Sequence, residues 1–399
     1  MKNLNSILAL FTLLFLFASC DKEETLEIKS SGKSVTYDLG SKAVSTISGT
    51  ATFTENSDTT TTISLDIQGT PSGGLHPAHI HLNTAAEGGG IALSLTPVNG
   101  TTGKSEITVS ALDDGTVVSY DDLIAFDGYI NVHLSATELS TIVAQGDIGQ
   151  NDLTGMTKTY DLGAKAVADI SGNVTFAERI NGEALAIISL SNTPDGGSHP
   201  AHIHANTAAE GGGILVSFTP VNGDTGMSET NLSALDSGSA FGYSDIEGLD
   251  AYINVHLSAT ELSTIVAQGD IGQNDLTGES KAYILASKDV AIISGTATFF
   301  KRVDGSALAI LDIQNTPADG VHPAHIHKND AATGGGIAVT FTPVDGNLGM
   351  SATQIEKLDD ETAFTYDDIL TYNGYINVHL SVAELSTIVA QGNIGSNVN

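Results

Sequence analysis

The sequence predicts an all-β chain built from three tandem antiparallel β-sandwich domains, and three observations carry that reading. First, one set of motifs recurs. "HPAHIH" stands at 76–81, 199–204 and 322–327, and "YINVH" at 129–133, 252–256 and 375–379, always 123 residues apart. A repeat of that size is a domain, not a solenoid unit. Second, apolar and polar residues alternate within each copy over short runs rich in Val, Ile and Thr, which is the pattern of strands with one buried face. Third, the chain has 43 Gly and no Trp in 399 residues and is 41% hydrophobic. That composition favours short strands and turns, and it can fill more than one core. The anchors place the domains at 33–155, 156–278 and 279–399.

The N-terminus reads "MKNLNSILALFTLLFLFASC". Lys2 supplies a positive n-region, residues 7–17 an apolar h-region, and Ala18 and Ser19 the small residues before a cleavage point. Cys20, the only cysteine, follows at once. The segment resembles a bacterial lipoprotein signal (1–19) with Cys20 as the lipidated first residue of the mature chain. The other reading is an ordinary secretory signal; the apolar run is too short to span a bilayer. "DKEET" resembles the acidic tag of surface-exported lipoproteins of Bacteroidota, and 20–32 reads as a tether. The expected location is the outer membrane or cell surface, with the membrane reached through the lipid anchor alone. Without disulfides, stability must come from the cores.

Within a copy, "TYDLG" (36–40) returns at 159–163 and as "AYILA" at 282–286. "ISGTATF" and "TTISLDIQ" form a hairpin around the polar "ENSDT". "AHIHLN" and "GIALSLTPV" flank the glycine-rich "AAEGGG". Residues 110–128 are acidic and irregular, with a short helical turn at "YDDLIAF". "YINVHLS" and "STIVAQGDIG" close the copy. Such strands pack as a sandwich or barrel.

All 12 histidines lie in the two motifs. Side chains alternate along a strand, so His79 and His81 share one face while Ala78, Ile80 and Leu82 share the other. In "YINVHL", Tyr129, Asn131 and His133 share a face opposite Ile130, Val132 and Leu134. If the two strands are neighbours, three imidazoles converge on the polar face. The same parity unites His202, His204 and His256, and His325, His327 and His379. Clustered neutral imidazoles suit copper, zinc or nickel, with copper or zinc expected here; the alternative is a set of histidines that hydrogen-bond backbone and acidic loops. His76, His199 and His322 are either a further ligand or a structural residue at the strand entrance. Asp113, Asp122, Asp236, Asp245, Asp359 and Asp368 read as turn residues, or as acceptors that orient imidazoles. "AAEGGG" lacks a following Lys-Ser/Thr, so it reads as a tight turn and not a phosphate loop.

The net charge of -32 disfavours nucleic acid and anionic bilayer surfaces as partners, and reads as a solvated surface. An extracellular ligand or surface partner is expected, without a clue to its identity. No constellation for hydrolysis is visible.

Each copy resembles the CHRD (chordin-type) domain in its "HIH" strand, its "YINVH" strand and its terminal strand. That pattern is in turn similar to Cu/Zn superoxide dismutase. The resemblance implies an eight-strand, immunoglobulin-like sandwich, with His79, His81 and His133 matching copper ligands and His76 a nearby non-ligand. The departures are specific. The bridging histidine and the zinc ligands have no counterpart, the active-site arginine would fall near Ile142, and the structural cysteines are absent. A binding or structural module is therefore expected, with or without metal, and a copper redox enzyme is the alternative.

Overall fold

The computed structural model describes residues 29–398, so the signal segment and Cys20 lie outside the described residues. The first domain is built from β1 (Ser30–Ser41), β2 (Ser48–Asn56), β3 (Thr61–Gln68), β4 (Leu75–Leu82), β5 (Ile91–Asn99), β6 (Lys104–Val109), α1 (Tyr120–Ile124), β7 (Asp127–Ser135) and β8 (Glu138–Gly149). Every pairing is antiparallel, and the sheet closes in the order β1-β2-β3-β6-β5-β4-β7-β8.

The ring is a sandwich with stitched edges. Long ladders make one four-stranded layer of β1, β2, β3 and β6 and another of β5, β4, β7 and β8. The layers are joined by a single pair between β5 and β6, Asn99 with Lys104, and by two pairs between β1 and β8. Alternation fills the space between them. Ile63, Leu65 and Ile67 of β3 meet Ala78 and Ile80 of β4 and Ile130 and Val132 of β7, all nearly water-free. Burying each large aliphatic side chain stabilises the fold by about 1.5–3 kcal/mol before entropy is counted.

The other two copies repeat the arrangement, with one difference. Their equivalents of β4 and β5 are each split, at Pro200 and at the Thr219–Pro220 step in the second copy and at Pro323 and Pro343 in the third. Proline offers no ladder N–H, so pairing lapses there. In the first copy the ladder shifts register at Pro77 instead. The helical turn at "YDDLI" forms because Ser119 and Asp122 cap each other's backbone N–H groups.

The structure moves two expectations. The first strand of each domain starts at Ser30, Leu153 and Leu276, three residues before the expected boundaries of 33, 156 and 279. Residues 30–32 thus belong to β1 and not to a tether. "KSEITV" also forms a strand, β6, which the sequence pattern does not announce.

Candidate metal centre

β4 and β7 are direct neighbours, with His79 opposite Asn131 and His81 opposite Tyr129. The apolar partners Ala78, Ile80, Ile130 and Val132 point into the core, so the imidazoles lie on the outer face of that layer. Two register shifts flank them, at Ile80/His81 and at Val132/His133, and the same shifts recur at His204, His256, His327 and His379. A bulge re-aims the side chain beside it. Here it turns His133, which stands two residues beyond Asn131, back toward His79.

Three groups result: His79, His81 and His133; His202, His204 and His256; and His325, His327 and His379. In each, one ligand nitrogen per residue lies within 4.8 Å of the others. His79 Nδ1 is 3.2 Å from His133 Nε2, and His202 Nδ1 is 3.1 Å from His256 Nε2. Two nitrogens bound to one ion at about 2.0–2.1 Å in tetrahedral geometry would stand about 3.3 Å apart, so these separations suit a shared metal.

The tautomers follow from the partners. His81 Nδ1 meets the Gly89 carbonyl at 3.0 Å, as do His204 with Gly212 and His327 with Gly335. A carbonyl only accepts, so Nδ1 carries the proton and Nε2 keeps a lone pair. That Nε2 is buried without a protein partner in all three copies. His256 and His379 likewise donate Nδ1–H to the Leu262 and Leu385 carbonyls at 2.6 Å, leaving Nε2 as the inward donor atom. Backbone carbonyls thus hold the rings as outer-sphere acceptors commonly hold metal-binding histidines.

Tyr129 completes the mount. Its ring stacks on His81 at 5.0 Å and 18°, and its hydroxyl accepts the Gly89 N–H at 3.2 Å. Tyr252 and Tyr375 repeat both contacts. The tyrosine was legible only as a residue sharing the polar face of "YINVH"; nothing in its spacing revealed the stack. Gly89 has no room for a side chain, since a Cβ there would sit 1.9 Å from the Leu82 carbonyl oxygen. The "GGG" run is therefore a tight turn, and it also delivers the carbonyl that orients His81.

Burial holds the pKa of His79 below its ordinary 6.5, and repulsion from His133 and His81 adds to this, against a small opposing pull from Asp113. His133 is lowered by burial too, partly offset by the Leu139 carbonyl. The corresponding histidines of the other copies shift the same way. These rings are neutral near pH 7, the form that binds metal.

The structure does not bring His76, His199 and His322 into the clusters. They are buried below the strand, and His76 and His322 direct Nδ1 to the carbonyls of His133 and His379 at 3.3 and 3.2 Å. The loop aspartates do not orient imidazoles. Asp113 accepts from the Ser94 amide and hydroxyl, Asp236 from Ser217 and Asp359 from Thr340. Asp122, Asp245 and Asp368 cap the turns before "YINVH". The chain matches no family model, no curated protein and no solved structure.

Proposed function

We propose that each domain binds one transition-metal ion through three imidazoles, copper or zinc, within an exported binding and structural module. The observation that supports this most strongly is the set of tautomers. Backbone carbonyls take up Nδ1 of His204 and His256 in the second domain and of His327 and His379 in the third, which leaves the Nε2 lone pairs of each pair free for an ion within their own cluster. An all-nitrogen set favours Cu over Zn among divalent ions, with availability deciding which is loaded. The resemblance to CHRD domains and to Cu/Zn superoxide dismutase supports the same ligands. The signal-like N-terminus and lone Cys20 support a lipid-anchored surface protein.

The test is a competition titration of tag-free, metal-stripped chain against a chromophoric chelator near neutral pH. Three equivalents per chain are expected, and two after replacing His202, His204 and His256 together by Ala. His199→Ala should keep all three. A wild-type chain that competes no better than one lacking all nine cluster histidines would overturn the reading. A copper redox enzyme is the second reading. It draws on His79, which is less buried than His81 and His133. Turnover of superoxide or peroxide by the copper-loaded chain separates the two.

A further inference from the structure

The three sheet units are joined by connectors of three residues, Gln150–Asp152 and Gln273–Asp275, too short to act as flexible linkers. The connectors are also tied down. Asn151 is buried and donates to the Asn83 carbonyl at 3.1 Å and to Asp127 at 2.8 Å, and Asn274 repeats this with Asn206 and Asp250. The next domain closes over them, as Ile180 and Asn181 donate their backbone N–H groups to the carbonyls of Asp152 and Gln150.

At the centre of each junction lies an arginine with a fully buried side chain. Arg179 of the second domain donates to Asp147 of the first at 2.7 Å, to Asn231 of its own domain at 2.7 Å, and to the Asn151 carbonyl. Arg302 repeats the set with Asp270 at 2.8 Å, Gln354 at 2.8 Å and the Asn274 carbonyl. A buried guanidinium needs a close anion; here Nε and Nη1 are paired in both arginines, while Nη2 has no protein partner.

The copies differ at these positions in a telling way. Arginine occupies this place in the two copies that follow another copy, and the first copy has Asn56 there. Aspartate occupies the partner place in the two copies that precede another copy, and the third has Asn393. Asp147 Oδ1 accepts the Ala85 N–H at 2.7 Å inside its own domain, and Asn393 Oδ1 keeps that bond with Ala331 at 2.9 Å. Only the second oxygen, the one the arginine uses, is lost. The charges therefore track the junction and not the fold of the domain. By contrast, the surface pair Lys42–Glu229 at 3.1 Å also crosses the first junction, but the third copy has Ala352 where the second has Glu229.

We propose that Asp147–Arg179 and Asp270–Arg302 are interdomain locks that hold neighbouring domains in one fixed orientation. This stands whether or not the histidine clusters bind metal, and is tested on the metal-free full chain. The variants are Arg179→Asn, Asp147→Asn and the double variant, since asparagine is the residue that copies of this same fold carry at both places. Expected for Arg179→Asn are a larger maximum dimension in small-angle X-ray scattering and proteolysis within 150–152 at least tenfold faster than wild type. Asp147→Asn, which strands a buried guanidinium, should have the larger effect. The double variant should be milder than Asp147→Asn alone, because it removes the stranded charge. Wild-type scattering and cleavage within twofold in both single variants would overturn the proposal. So would effects that simply add in the double variant, since two groups that do not act on one another add. If Asp147→Asn fails to fold, the Arg179→Asn result alone decides.

Discussion

At the scale of single residues, each candidate site is three imidazoles with a tyrosine of the neighbouring strand stacked on one of them. Histidine is confined to two short motifs, so its concentration on one face could be counted off strand parity. Tyr129, Tyr252 and Tyr375 share that parity, but a stack on a ring from the neighbouring strand depends on register, which local sequence leaves open. The aspartates misled as candidate orienting groups for the opposite reason: an acidic loop near an imidazole is suggestive in sequence, while its carboxylates are already consumed by Ser94, Ser217 and Thr340. One outcome belongs at this scale. Six cluster histidines, among them His79 and His133, have pKa values held below the ordinary 6.5 by burial and by each other. The unfolded chain therefore binds more protons than the folded one once pH falls below about 6.5. Stability of the metal-free protein should be fully present above that value and lost as pH drops toward the folded pKa values. Asp113, Asp236 and Asp359 oppose the shift weakly and do not change its sign. Thermal melts from pH 7.5 to 5.5 check this. A chain with the nine cluster histidines replaced by Asn should show a flatter profile, and an identical profile would sink the account.

Elements were legible where alternation was strict. β2, β3, β4, β5, β7 and β8 each announce themselves by apolar residues two apart, whereas "KSEITV" of β6 has one strong apolar position in its middle, so its strand state comes from pairing with β3. The register shifts were not legible, because a bulge is a property of two paired strands. They matter most at the site, as do the turns that carry its carbonyls. Gly89, Gly212 and Gly335 show what the turn demands: a Cβ at any of them lies 1.9 Å from the carbonyl oxygen of Leu82, Ala205 or Lys328. Gly212→Ala must push the turn away from the strand. Overpacking of this kind costs about 1–3 kcal/mol, and the displaced carbonyl would release His204. Metal affinity at that site should fall about 10–100-fold, the range seen when an orienting partner is lost. Gly213→Ala, with open space around it, should leave affinity unchanged. Equal affinities for the two variants would show that the turn does not orient the ligand.

At the scale of the whole molecule the period was plain, since three copies keep their motifs in step without insertions. The junctions were not, because Asp147 and Arg179 become partners only when strands of two domains meet. The clue lay in comparing copies: arginine at 179 and 302 against Asn56, and aspartate at 147 and 270 against Asn393. Charge also sets the response of the whole chain to salt. The chain carries 47 acidic side chains against 15 Lys and Arg. Mutual repulsion is therefore larger in the compact state than in the expanded one. Salt weakens two opposing things. It screens the repulsion, with a Debye length of about 10 Å at 0.1 M. It also weakens exposed pairs such as Lys33–Glu55 and Lys357–Glu361, which water already screens strongly. The buried Arg179 and Arg302 pairs are screened much less. With so few exposed pairs and so large an acidic excess, relief of repulsion wins. The melting temperature of metal-free protein should rise as NaCl is raised from about 0.01 M to about 0.3 M, where the Debye length shortens to roughly a single side-chain contact distance. Replacing a few exposed acidic residues outside the clusters, such as Asp121, Asp161 and Asp312, by their amides should shrink the rise. A melting temperature that falls with salt would mean that attractive surface pairs, and not the acidic excess, govern the stability of this chain.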